Sequence, residues 1–187
     1  MIESLLVLIQ HMKNEIEVID NFLPDYYFKH FQSILLGEEF PWYHSDHITY
    51  PQKGKNKFYQ FYHRFYDKQL NCQSSYIDMG GIKDILDLFG EKLNSNNLHR
   101  IKANLRPRSF FSRSGGGYHV DGCPCSHTSI YYINTNNGYT KFKNKGKVKS
   151  MENRMVIFPS HLEHQGYACS DKLKRVVINF NYDSLII

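Results

Sequence analysis

The chain has 187 residues, 41% of them hydrophobic and 15% aromatic, with a formal net charge of +5. That apolar content excludes a disordered polymer, and the length suffices for one domain with a sizeable core. Four irregularly spaced cysteines, Cys72, Cys123, Cys125 and Cys169, exclude a disulfide-stapled scaffold, and the mild positive charge reads as a solvated surface in preference to a nucleic-acid-binding face.

The apolar run from Ile2 to Ile9 is too short to span a bilayer. It lacks a basic start and a small-residue cleavage site, so no signal peptide is expected and the chain is expected to be cytoplasmic. Charged and aliphatic residues alternate from Glu15 to Asp20 and predict a short strand. Asn21-Phe22-Leu23-Pro24 then turns into a helix over Asp25 to Leu36 that ends at Gly37, with Pro24 suited to its first turn. Residues 41–50 and 57–66, rich in Tyr, Phe, Trp and His, read as two strands joined by a basic turn from Gln52 to Lys57. Lys53, Lys55 and Lys57 fit a solvated turn better than a phosphate-contacting one. A second helix is expected over Ile82 to Leu93, with Ile82, Ile85, Leu86 and Phe89 as its core stripe.

From His99 the texture changes to eight short β-type runs: Arg100–Leu105, Gly117–Asp121, Ser126–Asn134, Tyr139–Lys143, Lys147–Ser150, Arg154–Phe158, Glu163–Cys169 and Lys174–Tyr182. Strands at this spacing predict a sandwich or barrel and not a β-α-β array. No linker or repeat divides the chain. It is therefore expected to be a single domain, residues 1–98 supplying helices and flanking strands that cover one face and residues 99–187 the β core.

His119-Val120-Asp121 is the stretch that carries chemistry. On a strand, side chains at i and i+2 share a face, so the imidazole and the carboxylate reach one ion together. His164 offers a third ligand about forty residues later, and Arg175 follows it. Two His and one carboxylate leave the opposite side of an octahedral ion open, which suits non-haem Fe(II). On the last run, period-two alternation puts Arg175, Val177, Asn179 and Asn181 on one face and Val176, Ile178 and Phe180 on the other, a polar cavity wall with an apolar back.

The order His-x-Asp, His, Arg resembles the Fe(II)/2-oxoglutarate-dependent dioxygenases of the prolyl-hydroxylase-like branch, including small phage-encoded members. The resemblance rests on Arg100–Leu105, His119–Asp121, Ile130–Asn134, Asn137–Phe142, Ile157–Ser160 with His164, and Arg175–Phe180. It implies a double-stranded β-helix, the jelly roll of cupin-like proteins. It implies His119, Asp121 and His164 as iron ligands, and Arg175, Tyr132 and Asn179 as residues that bind 2-oxoglutarate. Dioxygen would be the other co-substrate and ascorbate a reductant. The implied reaction hydroxylates an unidentified peptidyl or small-molecule substrate with release of succinate and carbon dioxide, in the cytoplasm of a host cell for a phage-encoded member. Oxidative demethylation of nucleobases and a non-catalytic metal-binding jelly roll are the alternatives.

One position departs from the pattern. Relatives often carry Tyr before the proline of the first core strand, where this chain has Arg106 before Pro107. Arg106, Asn104 and Trp42 are taken as substrate-side candidates. The segment Arg106 to Gly117 reads as a lid or a surface loop, and Trp42, Tyr43, Tyr59 and Tyr62 as an aromatic substrate wall. Cys123-Pro124-Cys125-Ser126-His127 reads as a turn, with a zinc site and a Cys123–His164 nucleophile pair as less favoured readings. His44, His47, His63, His99 and His161 read as packing or surface residues.

Overall fold

The computed structural model describes residues 16–48, 58–110 and 116–184. The run from Ile2 to Ile9 and the basic turn with Lys53, Lys55 and Lys57 lie outside them. In chain order the elements are β1 (Glu17–Ile19), α1 (Asp25–Leu36), β2 (Tyr43–Ser45), β3 (Gln60–Asp67), β4 (Cys72–Gln73), a 3₁₀ turn (Ser75–Asp78), α2 (Ile82–Lys92), β5 (Ser95–Pro107), β6 (His127–Tyr132), β7 (Tyr139–Phe142), β8 (Gly146–Lys149), β9 (Arg154–Pro159), β10 (His164–Tyr167) and β11 (Lys174–Ser184).

Both helices occupy the residues their periodicity predicts. Helix α1 begins directly after Pro24, whose carbonyl accepts the Phe28 N–H at 3.0 Å, and buries Phe28, Phe31 and Leu35. Helix α2 follows Gly80 and Gly81, both at positive φ where a Cβ is disfavoured, and buries Ile82, Ile85, Leu86 and Phe89. Among the described residues, none of the helices is long and apolar enough to cross a membrane.

The strands form two antiparallel sheets. The larger runs β1-β9-β6-β11-β5-β3-β2, with β4 beside β3, and the smaller runs β10-β7-β8. This is the jelly-roll architecture expected, with both helices packed on the outer face of the large sheet. The principal core lies there: Ile101, Ala103 and Leu105 of β5 and Val176, Ile178 and Phe180 of β11 meet the apolar stripes of α1 and α2. Phe89 is its centre, with ring centroids 4.7 Å from Phe180, 4.8 Å from Tyr131 and 5.6 Å from Phe22. A smaller cluster of Ile130, Tyr132, Phe142, Val156, Phe158 and Val177 fills part of the space between the sheets.

Two expectations are corrected. Gly117 to Asp121 is not a strand, because its described backbone pairs with the β framework through a single bridge between His119 and His164. Strand β5 runs on to Pro107, so Arg106 belongs to the sheet and not to a loop; residues 111–115 of that expected lid lie outside the described residues. The 3₁₀ turn and β4 were not legible, being too short to carry a period.

Asp183, near the end of β11, accepts hydrogen bonds from the Ser126 backbone N–H (2.9 Å) and Asn97 Nδ2 (2.9 Å), and pairs with His99 (2.9 Å). His99, followed by the Ser126 N–H and Asn97, outweighs the small cost of burial and lowers its carboxyl from 3.8 to about 2. A carboxyl lowered on folding stabilises the native state above its unfolded pKa and loses that contribution as pH falls through the folded one. Urea denaturation followed by circular dichroism is expected to show wild type losing stability relative to Asp183→Asn between pH 4 and pH 2. Phe89→Ala, which empties the centre of the core, is expected to cost about 3–5 kcal/mol in the same measurement.

Candidate metal centre and its cavity

His119 and His164 are joined through their backbones: the His119 N–H donates to the His164 carbonyl at 3.0 Å and the reverse bond is 2.9 Å. Their rings consequently lie 4.6 Å apart. In each, Nδ1 faces a carbonyl, that of Gly117 at 3.3 Å and that of Leu162 at 3.1 Å. A carbonyl can only accept, so Nδ1 is the donor in each ring and Nε2 is the nitrogen left to face an ion. Asp121 completes the group, its Oδ1 3.8 Å from His119 Nε2. One donor atom from each of the three residues lies within 4.8 Å of the others, and among the described residues they are the one His/Cys/Asp/Glu group of this kind.

Asp121 is oriented from behind. Its Oδ2 accepts from Asn181 Nδ2 at 3.0 Å and pairs with Arg100 Nη2 at 3.1 Å, which leaves Oδ1 for an ion. Asn181, fully buried on β11, also donates to Thr128 at 3.0 Å and accepts from Arg100 Nε at 2.9 Å. Burial opposes the Asp121 charge, but Arg100, His164, Asn181 and His119 together outweigh it and hold the carboxyl below its usual range. Burial lowers the pKa of His164, with Asp121 opposing, which keeps its imidazole neutral. Two imidazole nitrogens and one carboxylate oxygen, each with its orientation fixed from outside, fit a divalent ion of the Fe(II) type. His119 and Asp121 thus converge on one point although no strand carries them.

The ligands open onto a cavity of about 590 Å³ between the two sheets. Arg175, 3% exposed, lies at one side, its Nε donating to Ser150 Oγ at 2.8 Å and its Nη2 to Thr140 Oγ1 at 3.1 Å. The Tyr132 ring lies beneath the guanidinium at 5.4 Å, and its hydroxyl donates to the same Thr140 oxygen at 2.8 Å. Tyr132 therefore supports Arg175 both directly and through Thr140, and it is Thr140, not Tyr132, that is among the lining residues. Asn179 and Asn104 line the cavity at the 3.5 Å limit of a mutual hydrogen bond. Gly138 makes room for the anchor, since a Cβ there would come within 2.7 Å of Arg175 Cδ and 2.8 Å of the Tyr167 carbonyl.

Arg106 stands opposite Arg175 across β5 and β11, donates to the Gly166 carbonyl at 2.7 Å, and lines the same cavity. Burial, then the charge of Arg175, lowers it to about 10. The aromatic wall does not form as expected. Trp42 packs edge-on against Phe40 at 4.9 Å in the helix-side core and does not line the cavity; Tyr43 and Tyr59 are about half exposed. His47, read as a surface residue, lines the cavity. His63 is instead fixed in the core side by the Pro41 carbonyl (2.9 Å) and Ser74 Oγ (3.0 Å). Cys123 and Cys125 are free thiols in a turn, and His127 stacks on Tyr182.

No protein-family model matches the chain, and no curated protein is significantly similar to it in sequence. Solved structures do share its fold. A prolyl hydroxylase from Trichoplax adhaerens, in complex with a hypoxia inducible factor oxygen degradation domain peptide, superposes with a TM-score of 0.65 at 14% identity, over 96% of this chain and 89% of that one. An oxidoreductase of the 2OG-Fe(II) oxygenase family from Burkholderia pseudomallei gives 0.61 at 9% identity, over 89% and 84%. The non-heme alpha ketoglutarate dependent epimerase SnoN from nogalamycin biosynthesis gives 0.59 at 13% identity, over 97% and 83%. At such identities the likeness is one of fold.

Two substitutions test the supports. Asn181→Ala is expected to weaken divalent-metal binding by about 10- to 100-fold by calorimetry, because Asp121 loses the bond that orients it. Gly138→Ala is expected to leave metal affinity within about twofold while weakening 2-oxoglutarate binding tenfold or more, since the added methyl crowds Arg175, Asn136 and the Tyr167 carbonyl, none of them among the metal donors.

Proposed function

We propose that this protein is an Fe(II)- and 2-oxoglutarate-dependent dioxygenase that hydroxylates a substrate with release of succinate and carbon dioxide. The observation that carries this reading is the meeting, in one cavity, of three convergent metal donors with a buried guanidinium held by Ser150, Thr140 and Tyr132. His119 Nε2, His164 Nε2 and an oxygen of Asp121 would hold the iron. When bound, iron and 2-oxoglutarate supply the oxygen activation and the electrons, chemistry that no side chain of the cavity offers.

The chain's own part is binding and positioning. A guanidinium matches a carboxylate with two parallel hydrogen bonds, so Arg175 would take the distal carboxylate of 2-oxoglutarate. Its Nε and Nη2 are already committed to Ser150 and Thr140, and a Cβ built at Gly166 would lie 3.7 Å from Nη1, which faces the cavity beside that glycine. With the guanidinium fixed beforehand, little side-chain entropy remains to be lost on binding. Ile130 and Val177 give an apolar lining for the carbon chain between the carboxylate and the metal ligands. Arg106 adds a second positive charge and opposes the Arg175 charge whenever the cavity holds no anion.

The neighbours with this fold differ in what they act on. The Trichoplax protein was solved with a peptide, and SnoN is an epimerase of nogalamycin biosynthesis. Fold alone therefore leaves the prime substrate open.

Incubation with Fe(II), ascorbate and labelled 2-oxoglutarate is expected to yield labelled succinate, slowly even without a prime substrate. His119→Ala should abolish it. Arg175→Met should weaken 2-oxoglutarate binding about a hundredfold, ~2.7 kcal/mol, with metal affinity retained. Succinate formation no greater in wild type than in His119→Ala would overturn the assignment.

A further inference from the structure

The cavity floor is a grid of residues set by strand register. Arg106 lies opposite Arg175; Asn104 lies between Val177 and Tyr62; Lys102 lies between Asn179 and Arg64; Arg100 lies between Asn181 and Asp67. Two of these rows juxtapose like charges, Arg106 with Arg175 and Lys102 with Arg64. Like charges directly opposite one another on a sheet are destabilising, and within these rows only Arg64 has a carboxylate beside it, that of Asp67.

The lining carries five cationic side chains, Arg64, Arg100, Lys102, Arg106 and Arg175, against Asp121 as its one described carboxylate. Arg100 is matched by Asp121 at 3.1 Å. Arg64 Nε is 3.2 Å from Asp67 Oδ2 but out of hydrogen-bonding alignment, and is buried without an acceptor. No described carboxylate pairs with Lys102, whose Nζ rests over the Tyr62 ring at 4.9 Å; the Arg64 guanidinium lies over the same ring at 5.6 Å. Burial, then Arg100 and Arg64, lowers the Lys102 ammonium to about 8, while Arg106 responds to Arg175. Asp121 and Asp67 offset the Lys102 shift in part without pairing with it.

One co-substrate molecule does not satisfy both rows. Lys102 and Arg106 are four residues apart on β5, roughly 13 Å along an extended strand, whereas five carbons joined by bonds of about 1.5 Å reach roughly 5–6 Å. A divalent ion and a dianionic 2-oxoglutarate would also cancel one another, leaving the positive excess in place.

Resting on the dioxygenase reading above, we infer that the Lys102–Arg64 row binds an oxyanion of the prime substrate, a small molecule of amino-acid to nucleotide size that carries a carboxylate or a phosphate. Lys102 and Arg64 would grip the anion over Tyr62, with Asn104 and Asn179 as neutral hydrogen-bonding groups between it and the Arg106–Arg175 row. The cavity, at about 590 Å³, has room for such a molecule beside the co-substrate.

The test is calorimetric and does not need turnover. Protein loaded with Zn(II) and saturating 2-oxoglutarate is titrated with inorganic phosphate and, separately, with acetate, at two salt concentrations. At least one anion is expected to bind, the tighter one identifying the class, and more weakly at the higher salt. Lys102→Met should reduce that affinity about tenfold and Lys102→Arg should retain it, while 2-oxoglutarate affinity in Lys102→Met stays within about twofold of wild type. Anion binding indifferent to Lys102→Met overturns the inference. So does an equal loss of 2-oxoglutarate affinity, which would assign the row to the co-substrate, and so does saturable binding of a neutral peptide with no binding of either anion. Anion binding through Lys102 in a protein that forms no succinate would overturn the dioxygenase reading and leave the oxyanion site standing.

Discussion

The antiparallel pairing of β5 with β11 places most of what matters in this molecule. The two longest strands run side by side in the middle of the large sheet, and their period-two alternation sorts residues without exception over the central stretch. Ile101, Ala103, Leu105, Val176, Ile178 and Phe180 go to the helices, while Arg100, Lys102, Asn104, Arg106, Arg175, Val177, Asn179 and Asn181 go to the space between the sheets. A slip of one residue in either strand would exchange charged groups for core groups. The aromatic core around Phe89 therefore does more than stabilise: it fixes the register from which the cavity chemistry follows.

Buried charge is tolerated in this cavity because each group is placed against another. Asp121 is answered by Arg100, Asn181 and the imidazoles, and Arg175 by Ser150, Thr140 and the face of Tyr132. The backbone bridge between His119 and His164 converts two distant points of the chain into one rigid pair of nitrogen donors. The carbonyls of Gly117 and Leu162 settle which nitrogen faces the ion. The same economy does not extend to Lys102 and Arg106, neither of which pairs with a described carboxylate. Excess positive charge inside a cavity is a destabilising feature, one that the inferred anionic ligands would relieve.

The sequence by itself determined a good deal. Helical periodicity located both helices, because a stripe every three to four residues has few other readings. Alternation in Lys174–Tyr182 identified the polar wall of β11, and applied to Arg100–Pro107 it already separates the cavity row from the core row, a signal left unused in reading Arg106 as part of a loop. The order His119, Asp121, His164, Arg175 pointed to the metal cluster and its cationic neighbour, since metal donors must be His, Asp, Glu or Cys and few such residues occur in these β segments.

Only the tertiary structure decided the rest. That His119 and Asp121 sit on a bridged loop and not on a strand, that Tyr132 backs Arg175 together with Thr140, that Gly138 leaves space for Arg175, and that Trp42 belongs to the core all depend on contacts between residues far apart in the chain. So does the juxtaposition of Arg106 with Arg175 and of Lys102 with Arg64, which is a property of strand register. Local pattern records which way a side chain faces, because that is set by the backbone's own period. It does not record what the side chain meets, because that is set by which strands pair and in what alignment.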